Sequence, residues 1–369
     1  MFLVIDYKGV IHLEQVIKEK YHYQYEDLIT LSSQSFIELE GNGKDALCWI
    51  IYDNEKYLFK PLEEADYNVW GELLSEEIAK FLNIPCAEYR VATLGNQKGI
   101  LSKNFLKKED TLVIGSEIYQ NFFNEIHYHK NGYNIPSYLL ELEQSPKKNY
   151  AFRYLNNLEQ TWIILNNSSI TDKKDVPNIV NSLTKMLLFD LITLQCDRHP
   201  NNWGIIKTSS ACHLSPLYDN SLSFGLGYPF MDRRIENFRS EIMNSKILKD
   251  KDRVYSFVYQ SSPSFTLIEE QNINIKKKSS IPKILLDFFN KSDEKTKQWI
   301  IDTLSSFKEN TIEKMIEKIE NKFQIKMKQE LYYYIVEIFN LNIETLKGIA
   351  NSYGKESSKN EVPKNIRTI

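Results

Sequence analysis

The chain has few cysteines, no strong excess of either charge and no long apolar run. Each shortage argues against a class of protein. The four cysteines, Cys48, Cys86, Cys196 and Cys212, form no CxxC pair anywhere in 369 residues, which argues against a zinc site. All four sit beside apolar or small residues, where cysteine behaves as a small hydrophobe of a reducing compartment. A formal net charge of −3 does not point to a nucleic-acid binder. No stretch approaches the roughly 18 apolar residues of a membrane span. The start, MFLVIDYKGVIHLEQ, lacks the basic-then-apolar order of a secretory signal. A cytoplasmic protein is expected, with export by a signal-less route left open. No internal repeat is found.

What is present is an ordinary globular composition, 42% hydrophobic and 26% charged, able to bury a sizeable core. The length suits two or three domains, or one bilobed enzyme. Residues 1–30 alternate short apolar runs with charge and suggest a small strand and a helix. Phe36, Ile37 and Leu39 lead into the turn Gly41-Asn42-Gly43-Lys44, and Cys48 to Tyr52 form a second strand. Asp53-Asn54 makes a hairpin turn, and Tyr57, Leu58 and Phe59 lead to Lys60 before Pro61 ends the strand. A Gly-containing turn between strands offers backbone N–H donors to phosphates, and a lysine on the third strand can reach them. An ordinary meander with a surface lysine accounts for these residues equally simply, and alone they favour it.

Residues 68–83 carry Leu73, Leu74, Ile78, Phe81 and Leu82 at helical spacing, with the acids Glu72, Glu76 and Glu77. A buried Lys60 needs a carboxylate, and this helix directly follows its strand. Two further strands flank Gly95-Asn96, so a five-stranded antiparallel sheet with one helix is expected over 30–106. Residues 107–178 show few clean periods. His127 and His129 read as a surface loop or helix end, because no third ligand is spaced with them. Residues 179–196 predict a buried helix, and 282–353 repeat amphipathic segments. The polar tail from Gly354 is expected to be disordered.

That buried helix delivers the most informative stretch. Asp197 and Asn202 sit five residues apart in a polar loop, and Asp219 follows 17 residues later. A phosphotransferase needs one carboxylate near the acceptor hydroxyl, plus an amide and a second carboxylate to hold Mg²⁺. Asp197 is the general-base candidate, and Asn202 and Asp219 are the metal candidates. Arg198 and His199 brace the loop or contact phosphate. Each residue alone is equally a satisfied loop polar group. The set is harder to dismiss, because Lys60 and Glu72 stand upstream in kinase order.

The boxes Tyr57-Leu-Phe-Lys-Pro61, Gly71-Glu-Leu-Leu-Ser-Glu-Glu-Ile-Ala79, Ser102-Lys-Asn-Phe105, Asp197-Arg-His-Pro-Asn-Asn-Trp-Gly204 and Leu217-Tyr-Asp-Asn220 together resemble the HipA-type serine/threonine kinases, in a short form lacking the toxin's N-terminal extension. The resemblance covers about residues 36–225. It implies an α+β, bilobed protein-kinase-like fold: a small antiparallel-sheet N-lobe over 1–106 and a mostly helical C-lobe over 107–353. It implies ATP and Mg²⁺ as cofactors and a protein hydroxyl as acceptor. Lys60 would bind the α/β-phosphates with Glu72 paired to it, and Asn42, Gly43 and Lys44 would cover them. Backbone around Lys103 to Phe105, with Tyr218, would meet the nucleotide. Asp197 and His199 would be catalytic, and Asn202 and Asp219 would hold the metal. A toxin role would bring an antitoxin-like partner with a DNA-binding domain. Two departures stand out. The order Asp-Arg-His also occurs in phosphoinositide kinases, so a lipid headgroup or other small molecule is an alternative acceptor. The turn from Gly41 to Asp45 has no Ser or Thr, so inactivation by a phosphate-loop serine would have to use Ser32, Ser33 or Ser35. A nucleotide-binding toxin component without catalysis is the remaining alternative, and the complete residue set argues against it.

Overall fold

The computed structural model describes residues 29–31, 36–39, 47–62, 67–94, 97–128, 156–226, 264–265 and 280–356. The Asn42-Gly43-Lys44 turn, the Gly95-Asn96 turn, His129 and the three upstream serines lie outside the described residues, as do 1–28 and 357–369.

The N-terminal sheet has strands β1 (Ile29–Leu31), β2 (Phe36–Leu39), β3 (Cys48–Tyr52), β4 (Glu55–Pro61), β5 (Tyr89–Leu94) and β6 (Gln97–Lys103). Their order is β1-β5-β6-β4-β3-β2. The sheet is antiparallel except that β1 runs parallel to β5. The expected five-stranded sheet therefore gains a sixth strand, too short to leave a period in the sequence. Asp53 and Asn54 turn the β3–β4 hairpin with φ of 52° and 60°, the left-handed pair that a tight two-residue hairpin demands. Alternation along β4 sends Tyr57 and Phe59 to one face, into a small core with Cys48, Ile50, Ala92, Leu94 and Leu101. Lys60 is thereby left on the other face, towards the cleft.

Helix α1 (Tyr67–Phe81) follows β4 and is buried on nearly every side. The C-terminal lobe opens with β7 (Thr111–Ile114), which runs directly into α2 (Gly115–Tyr128). His127 falls at the end of α2. Helices α3 (Leu158–Asn167) and α4 (Val176–Ile192) follow, then β8 (Gly204–Lys207) and β9 (Cys212–Leu214). The strands form a small sheet in the order β7-β8-β9, with β7 in the 107–178 region that showed few clean periods and β8 and β9 between Asn202 and Asp219. Four helices complete the chain: α5 (Ile281–Lys291), α6 (Glu294–Ser306), α7 (Thr311–Phe323) and α8 (Gln329–Glu356). Helix α8 includes Gly354, Lys355 and Glu356, residues assigned to the tail on composition.

The main core is continuous from α1 through α4 to α8. Helix α8 also reaches the site by hydrogen bonds. Asn342 Nδ2 donates to Leu191 O and Ile192 O, each at 2.9 Å, capping the carbonyl end of α4. Tyr334 Oη donates to Phe224 O at 3.0 Å. Among the described residues no helix is long and apolar enough to cross a membrane.

Candidate active site

Lys60 sits at the centre of the cleft between two carboxylates. Its Nζ is 3.2 Å from Glu72 Oε1 and 2.9 Å from Asp219 Oδ1. Burial pulls the ammonium down, but Asp219 and Glu72 outweigh it and hold Lys60 above its ordinary pKa. Lys60 in turn holds the Asp219 carboxyl below the usual range. Burial pushes Glu72 up, with Lys60 opposing. The other oxygen of Glu72 accepts from the Asn220 backbone N–H at 2.7 Å. One carboxylate therefore grips the β4 lysine and the loop after Tyr218 together.

Gly71 makes that grip geometrically feasible. A Cβ at position 71 would stand 2.3 Å from Ser221 O and 2.8 Å from Ser221 C. The helix thus lies backbone to backbone against the Asp219 loop, and one turn on, Ser75 Oγ donates to Ser223 Oγ at 2.9 Å. The loop itself is tightly turned, with Asp219 at φ 55° and Phe224 at φ 59°.

Arg198 is fully buried and organises the C-lobe half of the site. A guanidinium has five N–H donors. Its Nε and one Nη2 hydrogen go to Asp190 on α4, at 3.3 and 3.1 Å. The Nη1 hydrogens go to Asn202 O and Tyr218 O, each at 2.9 Å, and the second Nη2 hydrogen goes to Asn220 Oδ1 at 2.6 Å. Arg198 thus braces the loop and does not face the cleft. Burial pushes Asp190 up to about 6, with Arg198 opposing.

Asp197 and His199 lie on the open side, with side chains 38% and 44% exposed, and His199 Nε2 is 3.9 Å from Asp197 Oδ2. The Asp219 side chain is 41% exposed. Asn202 is buried, and its Nδ2 donates to Asp197 O at 2.8 Å. That bond sets the amide orientation, and no described donor reaches Asn202 Oδ1. At the lobe junction the Phe105 and Tyr218 rings meet with centroids 5.7 Å apart and planes tilted by 33°. The Lys103 side chain turns away to Glu55 at 3.0 Å. Its N–H is taken by Glu88 O and that of Asn104 by Lys56 O, so only the Phe105 N–H lacks a described acceptor in this stretch. The structure therefore brings together Lys60, Glu72, Asp219 and Tyr218, and Asp197, His199 and Asn202 in one loop. It sets the Lys103 side chain apart. Sequence reasoning missed Asn156, whose partners are Arg198, Trp203 and Ser264. No local motif marks it.

A β-sheet lobe carrying a lysine–glutamate pair, joined to a helical lobe with an Asp–Asn loop and a second Asp, has the architecture of a bilobed protein-kinase-like fold. Two solved structures share it over most of their length. A proinflammatory kinase of Helicobacter pylori, CtkA, matches with TM-score 0.62 and 16% identity over 88% of this chain and 99% of its own. The HipA toxin of Shewanella oneidensis, solved with HipB and operator DNA, matches with TM-score 0.50 and 10% identity over 94% of this chain and 72% of its own. The sequence boxes and the fold thus lead to the same group of structures. No family model matches the chain, and neither does any curated protein.

Proposed function

We propose that the chain is an ATP- and Mg²⁺-dependent serine/threonine protein kinase of HipA-like type. The observation that carries this reading is Lys60, held between Glu72 and Asp219 at 3.2 and 2.9 Å on the cleft face. A lysine so held is extended, charged and ready for the α/β-phosphates.

The donor set fits Mg²⁺. Asn202 Oδ1 is a neutral oxygen with its amide nitrogen committed elsewhere, and Asp219 adds a carboxylate kept ionised by Lys60. Among the described residues no three His, Cys, Asp or Glu side chains cluster as a metal site. Mg²⁺ does not need such a cluster, because it keeps waters and phosphate oxygens around one or two protein ligands. Asn202 and Asp219 would hold it, and its charge would offset that of the phosphate oxygens. The Phe105 N–H and the Phe105–Tyr218 pair form the place for adenine.

In the transfer, the acceptor hydroxyl oxygen bonds to the γ-phosphorus and the bond to the β–γ bridging oxygen breaks, leaving ADP. The hydroxyl proton passes to the Asp197 carboxylate. Asp197 chiefly aims the hydroxyl, and His199 lies beside it to meet the transferred phosphoryl group. The HipA neighbour was solved with HipB and operator DNA, so a DNA-binding antitoxin-like partner belongs to this proposal.

Radiolabelled ATP with the purified chain tests it. Asp197→Ala and Asp219→Ala are each expected to abolish transfer with unchanged circular dichroism. Full autophosphorylation by either variant sinks the assignment. Protein, lipid and small-molecule acceptors assayed in parallel decide the substrate class.

A further inference from the structure

The peptide groups around Asp197 are pinned one after another. The plane between Cys196 and Asp197 is held at both edges: Asp197 N–H donates to Gln195 Oε1 at 2.9 Å, and Cys196 O accepts from Ser264 Oγ. The next carbonyl, Asp197 O, accepts from Asn202 Nδ2 at 2.8 Å. The one after, Arg198 O, accepts from Asn156 Nδ2 at 2.6 Å. Asn156 is itself locked. Its second Nδ2 hydrogen goes to Ser264 O at 2.8 Å and its Oδ1 accepts from Trp203 Nε1 at 2.9 Å. An indole N–H can only donate, so the Asn156 amide has one orientation. Phe265 beside Ser264 is fully buried, its ring 6.0 Å from that of Trp203.

We infer that Asn156 and Ser264 are positioning residues for phosphoryl transfer, clasping the carbonyls on either side of Asp197 and thereby aiming its carboxylate. Planar peptides leave only φ and ψ to turn a residue. The plane before Asp197 is held from outside by Ser264, the plane after it by Asn202 within the loop, and the one beyond by Asn156 from outside, so the Asp197 side chain has a fixed origin and direction, although it lies in a loop. The described partners of Asn156 and Ser264 are Arg198, Trp203, Cys196 and each other, none of them a residue proposed to hold nucleotide. The inference rests on the proposed function for its meaning, since it concerns how Asp197 is presented.

The distinguishing property is a split between turnover and nucleotide affinity. Displacing a catalytic group by an ångström costs on the order of 100-fold. In the full chain, Ser264→Ala and Asn156→Ala are expected to lower kcat about ten- to hundred-fold, with KM for ATP changed less than about twofold. Ser264→Thr, which keeps the hydroxyl, is expected to recover most of the rate. Hydrogen exchange of the 197–202 amides is expected to quicken in both alanine variants while that of α1 stays as in the wild type. If Asn156→Ala does not fold, Ser264→Ala and Ser264→Thr carry the test alone. Equal rates for Ser264→Ala and wild type, or a rise in KM that matches the fall in kcat, overturns the inference. If the wild type transfers phosphate to no acceptor, the proposed function fails. The exchange arm then decides on its own: unchanged protection of 197–202 overturns the clasp.

Discussion

Arg198→Lys replaces five fixed donors by three on a flexible stem, at a site where every one of the five has a partner. Asp190 would keep a nearby charge, but Tyr218 O, Asn202 O and Asn220 Oδ1 would not all be reached. Removing one member of a buried ion pair costs about 3–5 kcal/mol, and this conservative change should approach the lower end. Urea denaturation reads it, and a loss under about 1 kcal/mol would show that Arg198 is not the brace described. A second residue-scale outcome concerns charge. Lys60 is held above its ordinary 10.5 chiefly against burial, with Asp219 the larger of its two supports. Asp219→Asn removes that support while burial persists, so the Lys60 pKa must fall. Nitrogen-resolved NMR of Lys60 Nζ measures it, and an unchanged or raised midpoint contradicts the pairing seen here.

At the scale of elements, glycine to alanine should have opposite signs in two helices. In α1 the new methyl of Gly71→Ala meets backbone, not a side chain that can swing away. The helix must withdraw from Ser221 and take Glu72 from the Asn220 N–H. A loss of about 1–3 kcal/mol is expected, with loss of transfer activity. In α8 the corresponding methyl at exposed Gly348 meets nothing within 4 Å, so Gly348→Ala should stabilise by about 0.5–1 kcal/mol. Thermal denaturation of the two variants side by side checks both signs. This contrast also marks the reach of sequence reading. Gly71 and Gly348 both look like helix interruptions, and only the partner across space separates them. The β3–β4 hairpin, α1 and α4 were legible because alternation, turn residues and apolar stripes are local signals. Lys60, Glu72, Asp197, Asn202 and Asp219 were singled out because side-chain types that chemistry needs recur in short boxes. Asn156 and Ser264 were not, since they act on carbonyls 42 and 68 residues away. Strand β1 and the β7–β9 sheet were missed because strands of three or four residues are too short to show a period.

Across the whole molecule, the C-terminal helices reach over and hold α1 from outside. Lys318 on α7 pairs with Glu77, and the Phe81 ring lies 4.9 Å from that of Phe307, which in turn packs on Phe339 of α8 at 5.5 Å. The core runs unbroken between the lobes, so they should lose structure together. Far-ultraviolet dichroism and tryptophan fluorescence are expected to give coincident thermal transitions, and two separated midpoints would contradict that continuity. The contact between Lys60 and its two carboxylates has a consequence on this scale too. Counted as ions, the centre of the cleft holds one positive charge and two negative ones, while Arg198 is already balanced by Asp190. Under the proposed function, a bare polyphosphate arrives at a net anionic site and must displace Asp219 from Lys60 to be bound. A divalent cation travelling with it reverses the sum and gives Asp219 a new counter-ion as it leaves the lysine. On that proposal the resting cleft would work as an ion exchanger, admitting the nucleotide as a metal salt and discouraging it alone.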